Sequence, residues 1–297
     1  MSRELLAIFG PTGVGKTGLA LALARRLRDR GERPVAVSAD ALQLYAGLPI
    51  LTGAADAAEQ QQLEHRLVGV LPVTETCSAA RYARLAHAEI DAILADGGTP
   101  IVVGGTGLYL RAALADLDLA PAPPPGLRER LLDRVAREGL PALHAELTRV
   151  APERAAAVDP RDTTRVVRSL ELHAMGALPQ RTGESELWTA RTRHPTRLVA
   201  LVMEREALYA QIDARVDAMV AAGAAREVRD ADAAGASATA RRAIGFDALL
   251  DGDVDRMKAQ TRRYAKRQLT WLRKLPGTEV VDVTGRAAAD VAAQLLP

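Results

Sequence analysis

The run Gly10-Pro11-Thr12-Gly13-Val14-Gly15-Lys16-Thr17 fits G-x-x-x-x-G-K-[ST] at every defined position. Glycines at that spacing let the backbone turn tightly enough for successive N–H groups to point at phosphate oxygens. Lys16 adds a point charge for the outer phosphate, and the Thr17 hydroxyl is placed to hold Mg2+. The pattern specifies a phosphate chain without saying which compound carries it. Two further polar groups follow short apolar runs: Asp40 after Pro34–Ser38, and Thr106 after Pro100–Val103 and Gly104-Gly105. The second run ends without a carboxylate, where an ordinary P-loop ATPase needs one for magnesium. Taken alone, Asp40 fits a helix cap or a turn as well as it fits catalysis.

The elements that must position these groups are legible. Glu4–Phe9 reads as a buried strand feeding the glycine loop, and Lys16–Arg30 as a helix with Leu19, Leu23 and Leu27 on its apolar face. Pro34–Ser38 and Pro100–Val103 are the next strands, separated by a helix that Ser78 caps and that runs to about Asp96. Strands alternating with helices predict an α/β fold, a P-loop NTPase-like doubly wound parallel sheet. Ligands of such sheets sit at the carboxyl ends of the strands, so Gly10–Thr17, Asp40 and Thr106 should converge on one crevice. Pro121, Pro123, Pro124 and Pro125 break the rhythm as a stiff connection, and Leu127 to about Met175 is helical throughout. The sequence therefore divides into a first part of the core (1–120), an inserted helical subdomain (121–195) and a second part of the core (196–297). The last of these holds a returning strand at Arg197–Met203, a helix at Arg205–Ala222, a basic helix from Val254 to about Leu275 and a final strand at Glu279–Val283.

With 48% apolar and 26% charged residues the chain can bury a core, and its net charge of +2 argues for no particular partner. One cysteine, Cys77, excludes a disulfide framework and a cysteine-based zinc site, and reads as a small buried hydrophobe. No apolar run approaches the ~20 residues of a membrane span, so no membrane partner, a cytoplasmic location and a monomer are the expectation. The basic charge is concentrated instead: Arg256, Lys258, Arg262, Arg263, Lys266, Arg267, Arg273 and Lys274 occupy one stretch with no acidic residue. On a helix Tyr264, Gln268 and Trp271 share a face beside Arg263, Lys266 and Arg267. Such a run is either a solvated face or a phosphate-gripping one.

Five ordered motifs carry a family resemblance: Gly10–Thr17, Ser38–Tyr45 (SADALQLY), Val102–Leu110 (VVGGTGLYL), Asp162–Glu171 (DTTRVVRSLE) with Ala243–Phe246 (AIGF), and Arg263–Trp271 (RYAKRQLTW). Together, over roughly residues 5 to 275, they resemble the tRNA dimethylallyltransferases, of the bacterial type, since the zinc finger of some eukaryotic relatives is absent. The resemblance implies transfer of a dimethylallyl group from dimethylallyl diphosphate to the exocyclic amine of the adenosine 3′ of the anticodon, in tRNAs reading U-initial codons. It also implies that the loop holds diphosphate as a leaving group, with Gly10, Thr12, Gly13, Gly15, Lys16 and Thr17 binding it and Thr17 holding the Mg2+. Asp40 becomes the base for a poorly nucleophilic aromatic amine. Thr106 is the second catalytic candidate, facing either the bridging oxygen or the amine. The adenine must leave the anticodon-loop stack, and Gln43 either reads its edge or is a surface helix residue. The tRNA contacts implied are Gln43, Arg128, Arg165, Arg168, Arg242, Arg263, Lys266, Arg267, Gln268 and Arg273, with the helical insert gripping the anticodon stem and Trp271 assigned to the core.

Three stretches depart from the family pattern: Ala41 stands where a serine is usual, Gly69 ends the segment from His65 differently, and Met175–Pro179 replaces T-G-K-P. Two rival readings are a small-molecule kinase, which needs an arginine-rich lid and a carboxylate ending the third strand, and an RNA-binding NTPase module without group transfer.

Overall fold

Leu5–Phe9 (β1), five apolar residues buried without exception, is an interior strand of a six-stranded sheet in a computed structural model that describes residues 4–178 and 186–297. The chain continues through α1 (Lys16–Asp29), β2 (Pro34–Ser38), α2 (Pro49–Thr52), α3 (Ala57–Gln62), β3 (His65–Arg66), α4 (Ala79–Ala95), β4 (Thr99–Gly104) and α5 (Gly107–Leu114). Four helices follow, α6 (Leu127–Glu138), α7 (Leu140–Val150), α8 (Pro152–Ala156) and α9 (Thr163–Ala174). Then come β5 (Thr196–Val202), α10 (Arg205–Ala221), α11 (Ala224–Ala233), α12 (Phe246–Leu250), α13 (Val254–Leu272), β6 (Thr278–Asp282) and α14 (Ala288–Leu295). The sheet order is β3-β2-β4-β1-β5-β6 and every pairing is parallel, the doubly wound α/β sheet that the alternation of elements predicts.

Two compact units result, Met1–Leu117 with Ser185–Pro297, and Asp118–Glu184. In the first, β1 pairs with β4 on one side and β5 on the other, although the second unit intervenes in sequence between those two partners. The stripe Leu19, Leu23 and Leu27 seats α1 in a core with Ile8, Ile101, Leu201, Leu208, Ile212 and Val291. Ser78 caps α4 as the sequence implies, accepting from Arg81 N at 3.1 Å. Residues 186–195, expected in the insert, are tied to the sheet unit. Arg111 Nη2 donates to the Glu186 and Arg191 carbonyls at 2.8 and 3.0 Å, and Arg193 pairs with Asp91 at 2.9 Å. In the second unit, α6–α9 enclose their own core of Leu131, Leu143, Leu147, Val166, Val167 and Leu170. The reading of Pro179 as the end of a departed motif lies outside the described residues.

Candidate active site

The register brings Phe9, Ser38 and Gly104 to adjacent strand ends, so that Gly10–Thr17, Asp40 and Gly105-Thr106 all emerge at one edge of the sheet. Gly15 caps α1 at φ 92°, a left-handed conformation that only glycine adopts at little cost, and this turns the loop into the helix N-terminus. Lys16 Nζ donates to the Gly10 and Pro11 carbonyls, both at 2.9 Å, which leaves one of its three N–H groups for a ligand. Its pKa falls to about 8, from burial first and then from the Arg215 guanidinium, while Asp40 opposes the fall. Thr17 lies beside it on the same cavity, whose volume is about 850 Å³.

Asp40 accepts from Leu42 N at 2.9 Å through Oδ1, and this turn orients the carboxylate along the cavity wall. Thr106 Oγ1 lies 2.9 Å from the Tyr264 hydroxyl, and Tyr264 is the member of that pair that lines the cavity. Burial, then Asp40, drives the Tyr264 phenol above its ordinary range, so it stays protonated. Gln43 is not a surface helix residue: it stands in a turn and lines the cavity, with its amide engaged by the protein. Ser38 Oγ donates to its Oε1 at 2.8 Å, and its Nε2 donates to Gly53 O at 3.2 Å, so its amide braces the cavity wall. Gln268 is likewise engaged inside the fold and does not face RNA. It is 3% exposed, its Oε1 accepts from Thr12 N at 2.8 Å and its Nε2 donates to Gly105 O at 2.8 Å. It is a strut between the phosphate loop and the end of β4, with no amide group left for RNA. A side chain on Gly105 would collide with this strut, and Gly107 is in contact with the Trp271 ring. Trp271 is half-buried and stacks on Trp188 with ring centroids 4.8 Å apart.

Arg215 was missed by sequence reasoning. It stands on α10 next to the buried stripe Leu208, Ile212 and Val216 and lines the same cavity. Burial depresses its guanidinium while Asp40 and Glu59 support the charge, so it brings a second cation close to Lys16 and Asp40. A charged residue three positions from a buried isoleucine was the available signal. Nothing in the sequence says what such a residue faces.

The eight basic residues of the α13 region fall into two groups. Arg256 pairs with Asp251 at 2.7 Å, Lys258 with Asp217 at 2.6 Å and Arg262 with Asp213 at 2.6 Å. Arg263, Lys266, Arg267, Arg273 and Lys274 are exposed and make no ion pair among the described residues, Arg267 lying over the Tyr264 ring at 5.4 Å and Lys274 over the Trp188 ring at 5.3 Å. Arg242 is exposed as well. In the helical unit Arg165 is exposed, with Asp162 at 3.3 Å. Arg128 and Arg168 converge on Glu171, whose side chain is fully buried, at 2.6 and 3.0 Å. Burial raises the Glu171 carboxyl, but the two guanidinium bonds outweigh it and the net shift is downward. Arg168 also donates to the Ala120 and Pro121 carbonyls at 3.1 and 2.7 Å. Cys77 is buried, as expected.

Fold and cavity together define a P-loop α/β protein whose cavity takes its strand-end carboxylate, Asp40, from after β2 and has none at the end of β4. Residues 43–275 match the family model described as IPP transferase. A tRNA dimethylallyltransferase of Anaeromyxobacter sp. (strain Fw109-5) is 43% identical over 290 residues, covering 93% of each chain. That of Geobacillus thermodenitrificans is 38% identical, covering 96% of this chain and 92% of its own. The crystal structure of the full-length tRNA isopentenylpyrophosphate transferase from Bacillus halodurans matches with a TM-score of 0.70 and 32% identity, over 99% of this chain and 94% of that one. The chain belongs to the IPP transferases, the prenyltransferase family of the tRNA dimethylallyltransferases, as its five motifs imply.

Proposed function

We propose that this protein transfers the dimethylallyl group of dimethylallyl diphosphate to the exocyclic amine of the adenosine 3′ of the anticodon, in tRNAs reading U-initial codons. The observation that carries the reading is a complete phosphate loop sharing one cavity with Asp40, the carboxylate that acts on Lys16, while the other two acidic residues of the lining, Asp56 and Glu59, are tied to each other's backbone N–H groups at the start of α3. Two cations, Lys16 and Arg215, suit a departing diphosphate, and the Asp40 carboxylate beside them suits a proton acceptor. The C–O bond to diphosphate breaks as the adenine nitrogen bonds the allylic carbon, and the amine proton passes to Asp40. Asp40 Oδ1 is engaged by Leu42 N, which leaves Oδ2 as the acceptor. The loop N–H groups, Lys16 and Arg215 neutralise the leaving group. Apolar side chains of the cavity, Ile50, Leu51, Met219 and Ile244 among them, suit the hydrocarbon.

Mg2+ fits this donor set. Magnesium keeps several waters and takes one or two protein oxygens together with substrate phosphates, and Thr17 borders the cavity next to Lys16. Thr17 would supply one such oxygen, and the ion when bound adds charge neutralisation at the diphosphate. For tRNA we assign Arg242, Arg263, Lys266, Arg267 and Arg273 in the sheet unit. The helical unit takes the anticodon stem through Arg165 foremost, with Arg128 and Arg168 sharing their guanidinium groups with Glu171. No helix among the described residues is long and apolar enough to cross a membrane, and we infer a cytoplasmic monomer.

The test incubates the protein with Mg2+, dimethylallyl diphosphate and unmodified tRNA, then weighs the digested nucleosides, with ATP replacing the donor in a parallel tube. A dimethylallyl mass gain on one adenosine, absent with ATP, is expected. ATP consumption without that gain would replace this reading by the kinase or NTPase one.

A further inference from the structure

One wall of the cavity is the segment Pro49–Gly53, made of α2 and the glycine that ends it. A helix of one turn has too few internal hydrogen bonds to keep its own shape. Other side chains hold it at both ends. At its start, Glu227 of α11 accepts from Ile50 N at 2.9 Å and Leu51 N at 2.7 Å, satisfying two donors that a helix leaves open. At its end, Gln43 donates to the Gly53 carbonyl at 3.2 Å, and Arg215 Nη2 reaches the same oxygen at 3.4 Å. The segment is thus clamped between α11 and the guanidinium that faces Lys16 and Asp40.

We propose that Glu227 is a positioning residue for the diphosphate: by pinning α2 it fixes the Gly53 carbonyl, and the carbonyl fixes Arg215 beside the phosphate loop. Glu227 does not line the cavity, and each of its carboxylate oxygens is taken by a backbone N–H, so it is placed to hold the wall and not to touch a reactant. Its carboxyl is half-buried and raised by that burial, with the two amide bonds pulling the other way, so these bonds are what keep a charge in a partly desolvated place. This inference rests on the reading that the cavity takes a prenyl diphosphate.

The experiment compares the whole protein with Glu227→Ala, which removes both acceptors, and Glu227→Gln, which keeps one carbonyl oxygen and turns an NH2 toward the other amide. Calorimetry with Mg2+ and inorganic pyrophosphate gives Kd. Steady-state transfer gives KM for dimethylallyl diphosphate and kcat, and filter binding gives the tRNA Kd. If the wall holds its competent form about one-tenth of the time without Glu227, the pyrophosphate Kd and the donor KM rise about tenfold in Glu227→Ala. Glu227→Gln should lie between it and the parent, with kcat and tRNA affinity little changed. Lowered thermal stability with pyrophosphate Kd and KM unchanged overturns the proposal, as does a loss confined to kcat. Should Glu227→Ala not fold, Glu227→Gln decides by the same criteria. A parent protein that binds pyrophosphate yet transfers no dimethylallyl group refutes the prenyltransferase reading. Pyrophosphate binding by the variants then still judges the clamp.

Discussion

Replacing Gln268 tests the strut that joins the phosphate loop to β4. Gln268→Leu keeps most of the side-chain volume and deletes two hydrogen bonds, from Thr12 N and to Gly105 O. The losses are unequal. Thr12 is half-buried and borders the cavity, so water can reach its N–H, whereas Gly105 is buried and its carbonyl stays unsatisfied. At about 1 kcal/mol for the first and 1–3 kcal/mol for the second, the sheet unit should lose about 2–4 kcal/mol. Gln268→Glu sharpens the test. A carboxylate accepts from Thr12 N but has nothing to donate to Gly105 O, so only the protonated form restores both bonds. Its folded pKa must therefore lie above the unfolded value of about 4.3, and its stabilising share is full below that value and lost as pH rises through the folded pKa. Urea denaturation of the parent and both variants at pH 5 and pH 8 reads this directly. A Gln268→Leu protein within about 0.5 kcal/mol of the parent refutes the strut. So does a Gln268→Glu protein whose deficit against the parent is the same at both pH values.

Three further outcomes follow from the geometry. Glu171→Ala strands Arg128 and Arg168, and because both guanidinium groups are partly exposed the helical unit should lose about 2–3 kcal/mol, less than a fully buried pair would cost, as read by hydrogen exchange over α6–α9. The depressed Glu171 carboxyl contributes stability that is present above its unfolded pKa and lost as pH falls through its lower folded value, so parent and variant should converge in strong acid. Pyrophosphate binding needs the Lys16 ammonium, so affinity in titrations from pH 6.5 to 9.5 should fall off above about 8, and Lys16→Met should remove that break. Reversing Arg263 or Lys266 to glutamate should lower the slope of log Kd for tRNA against log salt by about one for each phosphate no longer neutralised, while the already paired Arg256, changed to glutamine, leaves it unchanged.

The phosphate loop was legible because its residues are contiguous, and the approach of Asp40 to it because strand ends in a parallel sheet share an edge, whereas Thr106 emerges at that edge but meets the Tyr264 hydroxyl, and Tyr264 lines the cavity. Arg215 and Glu227 were not, since each acts on the Pro49–Gly53 wall from a helix more than a hundred and fifty residues away. Gln268 was placed on the right helix with the wrong partner. Its periodicity gave a face, but Thr12 and Gly105 meet that face only in the folded sheet. Which members of the basic run are paired was not legible either, because Asp213, Asp217 and Asp251 lie outside the run and neutralise three of them.

The placement of β1 has a consequence for synthesis on the ribosome. Its first neighbour, β4, is complete at Gly104, but its second, β5, ends at Val202, about a hundred residues later. At ~5–20 residues per second the open edge of Leu5–Phe9 waits roughly 5–20 s for its partner. The whole helical unit is translated in that interval and can gather its own core from neighbours close in sequence. A nascent chain stalled between the two strands would expose an unpaired, wholly apolar strand edge, the kind of surface that chaperones cover and that aggregation exploits.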